Sequence, residues 1–182
     1  MIVILYNIRS LHNVGSIFRT ADAAGVKKIY LGGITPAPVD EFGRSRQQLT
    51  KVSLGAEKYV EWECVKSTTR LIDKLRRSKE VGAPTKASGL KNPPSSRGYT
   101  IFAIEQSPKS IPYYNIQRSR NIIAKTALVL GNEIKGLPAS ILKRADKILE
   151  IPMRGKKESL NVAVTFGIVV FHLVNLYNKK YA

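Results

Sequence analysis

Residues 2–31, IVILYNIRSLHNVGSIFRTADAAGVKKIYL, predict a strand, a helix and a second strand in close succession. The run Ile2–Tyr6 is apolar and rich in β-branched residues, which is typical of a buried strand. Apolar residues then recur at helical spacing, with Asn13 as the expected N-cap and Gly25 as the expected residue just past the helix. Residues 28–31 form the second strand. This order is that of a βαβ unit, so we expect an α/β fold with a parallel sheet.

The alternation of strands and helices continues along the chain. Further strands are expected at 59–62, 99–104, 126–130 and 148–151, helices at 68–77 and 160–177, and a helix or an ordered loop at 44–54. The helix at 160–177 is apolar nearly all round, so it must be covered on several sides. In a chain of 182 residues we expect a second subunit to supply part of that cover.

Residues 78–98 interrupt this pattern. They are rich in Gly, Pro, Ser and Lys and contain almost no large apolar side chains, so we expect a flexible basic loop within a single domain spanning 1–182. Nine Lys or Arg and two acidic residues lie between 66 and 97. The segment is therefore either a solvated face beside a flexible loop or an arm that contacts RNA.

The net charge of +17 is the exceptional feature of the composition. Such a charge favours a polyanionic partner, with nucleic acid ahead of an anionic membrane. The chain has no apolar run of the roughly 18 residues that a spanning helix needs, and its first residues do not have the features of a signal peptide. We therefore expect a cytoplasmic protein with no membrane partner. One cysteine and two histidines, in no recognisable ligand spacing, also predict that no metal is bound.

Three segments carry residues suited to chemistry, although each has an ordinary structural explanation when taken alone. In the first helix, Gly15, Arg19 and Asp22 share the face opposite the apolar stripe. A glycine at this position lets a backbone or a ligand approach the guanidinium closely. The alternative is a plain surface ion pair between Arg19 and Asp22, which contributes little to stability.

The other two segments follow buried strands. Residues 131–136 form a glycine-flanked loop that carries one carboxylate, Glu133, at the strand end where open parallel sheets bind ligands. A turn with a capping role is the alternative. Farther on, a basic glycine loop leads to Ser159, which opens the last helix either as its cap or as part of a ligand site. Asn161 in the first turn is unusual, because asparagine is a mediocre helix former.

Taken together and in this order, the segments resemble the three motifs of the SpoU/TrmH-like RNA methyltransferases of the SPOUT superfamily. Residues 13–19 match the first motif, Asn-x-Gly-x-x-x-Arg. Residues 130–136, LGNEIKG, match the second motif, and residues 151–162, IPMRGKKESLNV, match the third. The stretch LGAE at 54–57 is also similar to the family. The resemblance extends over nearly the whole chain.

The resemblance implies a parallel-sheet SPOUT fold whose C-terminal part forms a deep trefoil knot, and a homodimer. It implies that S-adenosylmethionine is the methyl donor and that tRNA or rRNA is the substrate. Carried over by position, the donor would be held by Leu130, Gly131, Ile151, Met153 and Leu160. Arg19 would be the main catalytic residue, with Asn13, Glu133, Ser159 and Asn161 around it.

The reaction implied by this resemblance is methylation of a ribose 2′-hydroxyl. A sulfonium donor makes the transfer favourable, so the enzyme must mainly align a weak nucleophile, which is worth about 7–11 kcal/mol. Because a guanidinium has a pKa above about 12, we expect Arg19 to bind the adjacent phosphate and stabilise charge rather than to remove the proton. The alternatives are a SPOUT enzyme that methylates a base and a catalytically silent RNA-binding module.

Overall fold

The computed structural model describes residues 1–78, 98–116 and 125–176, which build an α/β fold on a parallel sheet. Its seven strands in the described residues are β1 (Ile2–Tyr6), β2 (Lys28–Gly32), β3 (Glu61–Val65), β4 (Thr100–Ile104), β5 (Ile111–Pro112), β6 (Thr126–Leu130) and β7 (Lys147–Glu150). The helices are α1 (Leu11–Ala23), α2 (Gln47–Ser53), α3 (Thr68–Arg77), α4 (Ala139–Leu142) and α5 (Val162–Asn175). The strand order is β3-β2-β1-β6-β4-β7-β5, and every pairing is parallel. The predicted fold class, a parallel-sheet α/β fold, is confirmed.

The sheet is covered on both faces, as a parallel sheet must be. Side chains of β1 alternate between the two layers, so that Val3 and Leu5 pack with α1, α2 and α5, whereas Ile2 and Ile4 pack with α3 and α4. All four side chains are almost fully buried. The same alternation runs through β4 and β6. The centre of the sheet is therefore the rigid support for the loops at the ends of its strands.

Most predicted boundaries agree with the structure to within one or two residues. β1, α3 and β6 coincide with the predicted ranges, and the ambiguous stretch at 44–54 contains the helix α2. β3 begins at Glu61 instead of residue 59, because a 3-10 turn at Ala56–Lys58 comes before it. The N–H of Tyr59 donates to the carbonyl of Ala56 in this turn and is not available to the sheet. β5 and α4 were not predicted, since two and four residues are too short to show a period.

The N-caps of two helices differ from the prediction. Ser10, not Asn13, caps α1: its hydroxyl oxygen accepts the N–H of Asn13, which lies inside the first turn. Asn161, not Ser159, caps α5, and its side-chain oxygen accepts the N–H groups of Ala163 and Val164. Both corrections free a polar side chain that the prediction had assigned to capping. The expected helix end at Gly25 is confirmed, with φ of +68° at that residue.

Two predicted features lie partly or wholly outside the described residues. The basic loop at 78–98 is described only at its two ends, Ser78 and Gly98. The last helix was expected to reach residue 177 and is described as far as Asn175. In the described ranges, none of the helices is long and apolar enough to span a bilayer.

Candidate active site

Three loops at the carboxyl end of the sheet meet around one cavity of about 290 Å³. They follow the neighbouring strands β6, β4 and β7, whose carboxyl ends all face the same way because the strands are parallel. All five residues predicted to hold the donor line this cavity: Leu130, Gly131, Ile151, Met153 and Leu160. Glu133 and Ser159 line it as well. The second and third segments singled out from the sequence thus share one site.

The loop after β6 depends on its two glycines. A Cβ on Gly131 would lie 2.8 Å from the carbonyl carbon of Gly136 and 2.8 Å from Cγ of Leu137, so only glycine fits there without a shift. Gly136 has φ of +62°, which other residues rarely adopt. Between them, Asn132 Oδ1 accepts the N–H groups of Ile134 (2.9 Å) and Lys135 (3.0 Å). The sequence therefore fixes the curvature of this wall of the cavity.

Glu105 and Gln106, at the exit of β4, tie the other two loops together. The Glu105 carboxylate accepts the N–H of Leu137 at 2.6 Å, and it occupies the space that a side chain at Gly136 would need. The side-chain amide of Gln106 donates to the carbonyl of Glu158 at 2.6 Å. Both residues line the cavity. Neither residue was predicted from the sequence, although Glu105 has the same signal as Glu133, a carboxylate directly after a buried strand.

A chain of side-chain hydrogen bonds joins all three predicted segments beside this cavity. Asn13 in α1 donates from Nδ2 to Oε1 of Glu133 at 2.6 Å. Asn161 donates from Nδ2 to Oδ1 of Asn13 at 3.0 Å, while its own oxygen caps α5. Asn13 thus connects residues that lie 120 and 148 positions away in sequence. These contacts bring together three of the five residues predicted to be catalytic.

The exit of β1 is joined to the same loops. Asn7 adopts a left-handed conformation, with φ of 58°, directly after the strand. Its carbonyl accepts the side-chain amide of Asn132 at 2.9 Å, and its side-chain oxygen accepts the N–H of Ile34 at 3.1 Å. The turn after β1 therefore fixes the position of the loop after β6 and of the loop after β2.

Arg19 is not part of this cavity. Its side chain is exposed on α1, and it is absent from the cavity lining. The alternative explanation, a surface ion pair, is not seen either, since no ion pair joins Arg19 to Asp22. Gly15, expected on the same open face, is buried where α2 crosses: a Cβ would lie 2.5 Å from the carbonyl oxygen of Leu49. The glycine thus allows the backbone of α2 to pack closely against α1.

Cys64 and His172 are absent from the lining of this cavity. Cys64 is exposed in β3. His172 in α5 packs edge-on against Tyr113, with ring centroids 5.0 Å apart, and burial lowers the pKa of its imidazole below the ordinary value. Within the described ranges, no three His, Cys, Asp or Glu residues are grouped closely enough to hold a metal ion.

Comparison with known proteins identifies relatives over nearly the full chain. The model of the SpoU rRNA Methylase family matches residues 1–171. The tRNA (guanosine(18)-2'-O)-methyltransferase of Aquifex aeolicus is 28% identical over 99% of this chain and 71% of its own length. The 23S rRNA (guanosine-2'-O-)-methyltransferase of Neisseria meningitidis is 31% identical over 93% of this chain and 56% of its own length. The chain thus spans about half to three quarters of the length of these relatives.

Solved structures give the same result. The AdoMet-bound rRNA methyltransferase of Sinorhizobium meliloti superposes with a TM-score of 0.74 at 26% identity, over 96% of this chain and 55% of that one. The TrmH/SpoU tRNA modifying enzyme of A. aeolicus gives a TM-score of 0.74 at 27% identity, over 98% and 76%. The fold of the chain is thus that of the SPOUT class of methyltransferases. Within that class, the chain belongs to the SpoU rRNA methylase family.

Proposed function

We propose that this protein transfers a methyl group from S-adenosylmethionine to a ribose 2′-hydroxyl of tRNA or rRNA. The observation that carries the proposal is that two of the family segments line one cavity, and that Asn13 of the remaining segment joins them through its bonds with Glu133 and Asn161. The net charge of +17 suits a polyanionic substrate. The relatives named above are guanosine 2'-O-methyltransferases, so 2′-O-methylguanosine is the first product to look for. The cytoplasm, where RNA and the donor meet, remains the expected location.

The cavity has features that fit this donor. The backbone of Gly131 lines the cavity, and the side chains of Leu130, Met153 and Leu160 provide apolar contacts. Glu105 and Glu133 place carboxylates on the cavity wall, and carboxylates favour a sulfonium cation. When bound, the donor supplies an electrophilic methyl. The residues of the chain supply the shape and the charge that hold it at the carboxyl end of the sheet.

Alignment of the ribose is the main task left to the side chains. We propose that Asn13, Glu133, Ser159 and Asn161 line the path of the nucleotide, and that Glu133 is held in place by the amide of Asn13. A group fixed in this way loses little entropy when the substrate binds, which is how positioning accelerates a reaction. Arg19 would bind the phosphate beside the reactive ribose and stabilise the charge that develops on the oxygen.

We propose that Arg19 performs this role in the cavity of a partner subunit. Arg19 is exposed and outside the cavity of its own subunit. A homodimer is supported by α5, where the exposed apolar residues Val164, Ile168 and Phe171 lie on one face at helical spacing. α1, which carries Arg19, packs beside α5, with Thr20 close to Gly167. A dimer that covers this stripe would carry Arg19 toward the partner.

A knotted C-terminal segment and a single domain over 1–182 belong to the same proposal. The loops after β4, β6 and β7 contact one another around the cavity, as a knot in this part would require. Pulling the chain by its ends in an optical trap tests the knot. An unknotted chain can be stretched to roughly 3.3–3.6 Å per residue. A knotted chain stops at a shorter end-to-end length, so full extension would rule the knot out.

Incubation with labelled donor and unmodified RNA, followed by nucleoside mass spectrometry, tests the reaction. We expect a 2′-O-methyl nucleoside with the wild type and a loss of about 10²-fold or more with Arg19→Ala, in line with the removal of one charge-stabilising group. A methylated base would indicate the alternative chemistry. No transfer to any RNA, with RNA still bound, would indicate the silent binding module.

Mixing two inactive variants tests whether Arg19 acts across the dimer. One variant carries Arg19→Ala and the other carries Leu160→Arg, which fills the cavity. In an equal mixture, half of the dimers are mixed, and each mixed dimer has one site with both parts intact, so about a quarter of the wild-type activity should return. No recovery in subunits shown to exchange would mean that Arg19 acts within its own subunit or not at all.

A further inference from the structure

The loop between β2 and α2 ends in a tip whose shape is fixed by one carboxylate. Val39 and Ser45 pair across the base of the tip in an isolated bridge. Oδ1 of Asp40 accepts the N–H groups of Phe42 and Arg44, both at 2.9 Å, and Oδ2 accepts Nε of Arg44 at 2.9 Å. The backbone N–H of Arg44, which donates to this carboxylate, is the main cause that lowers the pKa of Asp40 below its ordinary value. The tip therefore has a defined conformation, and the Asp40 carboxylate that holds it stays ionised at neutral pH.

This tip holds an aromatic ring out in solvent. Phe42 is 72% exposed, although burying such a side chain is worth roughly 1.5–3 kcal/mol. The guanidinium of Arg44 lies over the Phe42 ring, 4.9 Å from its centroid, and is itself largely exposed. Since the guanidinium covers one side of the ring, the exposure of Phe42 leaves the other side open. The tip thus presents a flat apolar surface backed by a positive charge.

The base of the same loop is attached to the site. Thr35 is buried, and its hydroxyl donates toward the carbonyls of Gly32 (2.8 Å) and Leu5 (3.2 Å) and accepts the N–H of Ile8 (3.1 Å). The neighbouring Ile34 N–H donates to Asn7, whose carbonyl accepts from Asn132 in the cavity loop. The loop leaves the sheet at the carboxyl end of β2, the end at which the cavity lies. The tip and the cavity therefore lie on loops at the same end of the sheet.

We propose that the Phe42–Arg44 tip is a stacking platform for an unpaired base of the RNA substrate, next to the nucleotide held at the cavity. Proteins recognise single-stranded RNA mainly by stacking splayed bases on aromatic rings and guanidinium planes. The tip offers both groups in a preformed arrangement, so little ordering accompanies binding. This inference rests on the proposed function for the identity of the ligand as RNA.

The test compares Phe42→Ala with a matched variant at the other end of the sheet. Tyr59, just before β3, is 78% exposed, so Tyr59→Ala removes an equally exposed ring away from the cavity. The probes are a short oligoadenylate and an abasic RNA backbone of the same length. Loss of one base–aromatic stack corresponds to a roughly 5- to 150-fold weaker binding of oligoadenylate. We expect that loss for Phe42→Ala only, with abasic binding and the salt dependence unchanged.

Phe42→Trp distinguishes stacking from damage to the tip. It should keep wild-type affinity for oligoadenylate, and its indole fluorescence should be quenched when the base stacks. Equal affinity of the wild type and Phe42→Ala for oligoadenylate would overturn the platform. So would a dimer that dissociates on Phe42→Ala, because the ring would then be a subunit contact. These readings measure binding alone, so the platform can fail while methyl transfer is found, and methyl transfer can fail while the platform is found.

Discussion

The two ends of the parallel sheet use their charged residues differently. At the amino end, three cations are paired with nearby carboxylates: Lys28 with Glu63 at 2.8 Å, Arg76 with Asp146 at 2.8 Å, and Arg144 with Asp73 at 3.0 Å. At the carboxyl end, Arg44 pairs with Asp40 within the loop after β2, but Glu105 and Glu133 beside the cavity bond to a backbone N–H and to a side-chain amide and pair with no cation of the described residues.

The unpaired cations at the carboxyl end are exposed and follow four different strands. They are Arg9, Lys66, Lys135, Arg154, Lys156 and Lys157, and none forms an ion pair with a carboxylate of the described residues. Neighbouring strands lie about 4.7–4.9 Å apart, so such a row extends along the edge on the scale of several nucleotides. The ion pairs thus stabilise the amino end, which has exposed lysines as well, whereas the unpaired cations of the carboxyl end lie at the end that holds the cavity and can bind a polyanion there.

The largest effect that would sharpen this contrast is expected at Gly131. Gly131→Ala places a Cβ 2.8 Å from the Gly136 backbone and must move the cavity wall. A misplacement of about 1 Å can reduce catalysis by about 10²-fold, and we expect at least that loss of methyl transfer. Gly155→Ala is the control, because a Cβ there meets nothing within 4 Å. Similar rates for the two variants, both folded by circular dichroism, would contradict this view of the cavity.

Removal of positive charge from one end of the sheet at a time tests whether the carboxyl end binds RNA. A triple substitution of Lys135, Arg154 and Lys156 by Gln should weaken RNA binding about tenfold or more, and lower the slope of log K against log salt by about 2. The control removes the same charge at the amino end, by Gln at Lys27, Lys143 and Lys147, which are also exposed. Equal slopes for the two triple variants in a filter-binding titration would remove the distinction between the ends.

Two substitutions of Asn161 distinguish its role as the cap of α5 from a role in catalysis. Asn161→Ser keeps a cap for α5 but loses the bond from Nδ2 to Asn13, whereas Asn161→Ala loses both. We expect Asn161→Ser to retain stability and to lower methyl transfer severalfold, and Asn161→Ala to lose in addition about 1 kcal/mol of unfolding free energy. Full activity of a stable Asn161→Ser variant would reduce Asn161 to a cap.

The smallest effect is expected at the amino end. Arg144→Ala removes an ion pair in which each side chain is about one-third exposed. Such a pair contributes at most about 1 kcal/mol, so urea unfolding should shift slightly while the rate of methyl transfer stays at the wild-type value. A clear loss of activity in a folded Arg144→Ala protein would show that the amino end also takes part in function.

The sequence predicts the elements of this fold well where a period is long enough to see. The helix α3 agrees to the residue because Ile72 and Leu75 recur on one face after the cap Ser67. The caps of α1 and α5 were assigned to the wrong residues, because several polar side chains near a helix start can each serve as the cap. Only the folded chain shows that Asn13 faces Glu133, which lies 120 residues away.

Some residues of the candidate site could likewise be predicted from the sequence, and others could not. Residues on the strand exits, such as Gly131 and Met153, were expected from the resemblance to the family, and they line one cavity because parallel strands bring their carboxyl ends together. The position of Arg19 could not, since it depends on how α1 packs against its neighbours and, in our proposal, on a second subunit. Glu105 was missed because its partner is a backbone N–H, which leaves no mark in the sequence.

A crystal structure with S-adenosylhomocysteine tests the central claim most directly. We expect the ligand between the loops after β4, β6 and β7, in contact with Gly131, Met153 and Leu160. A ligand found at the amino end of the sheet, or no binding by calorimetry to the folded wild-type protein, would contradict the assignment of the carboxyl end as the site of methyl transfer.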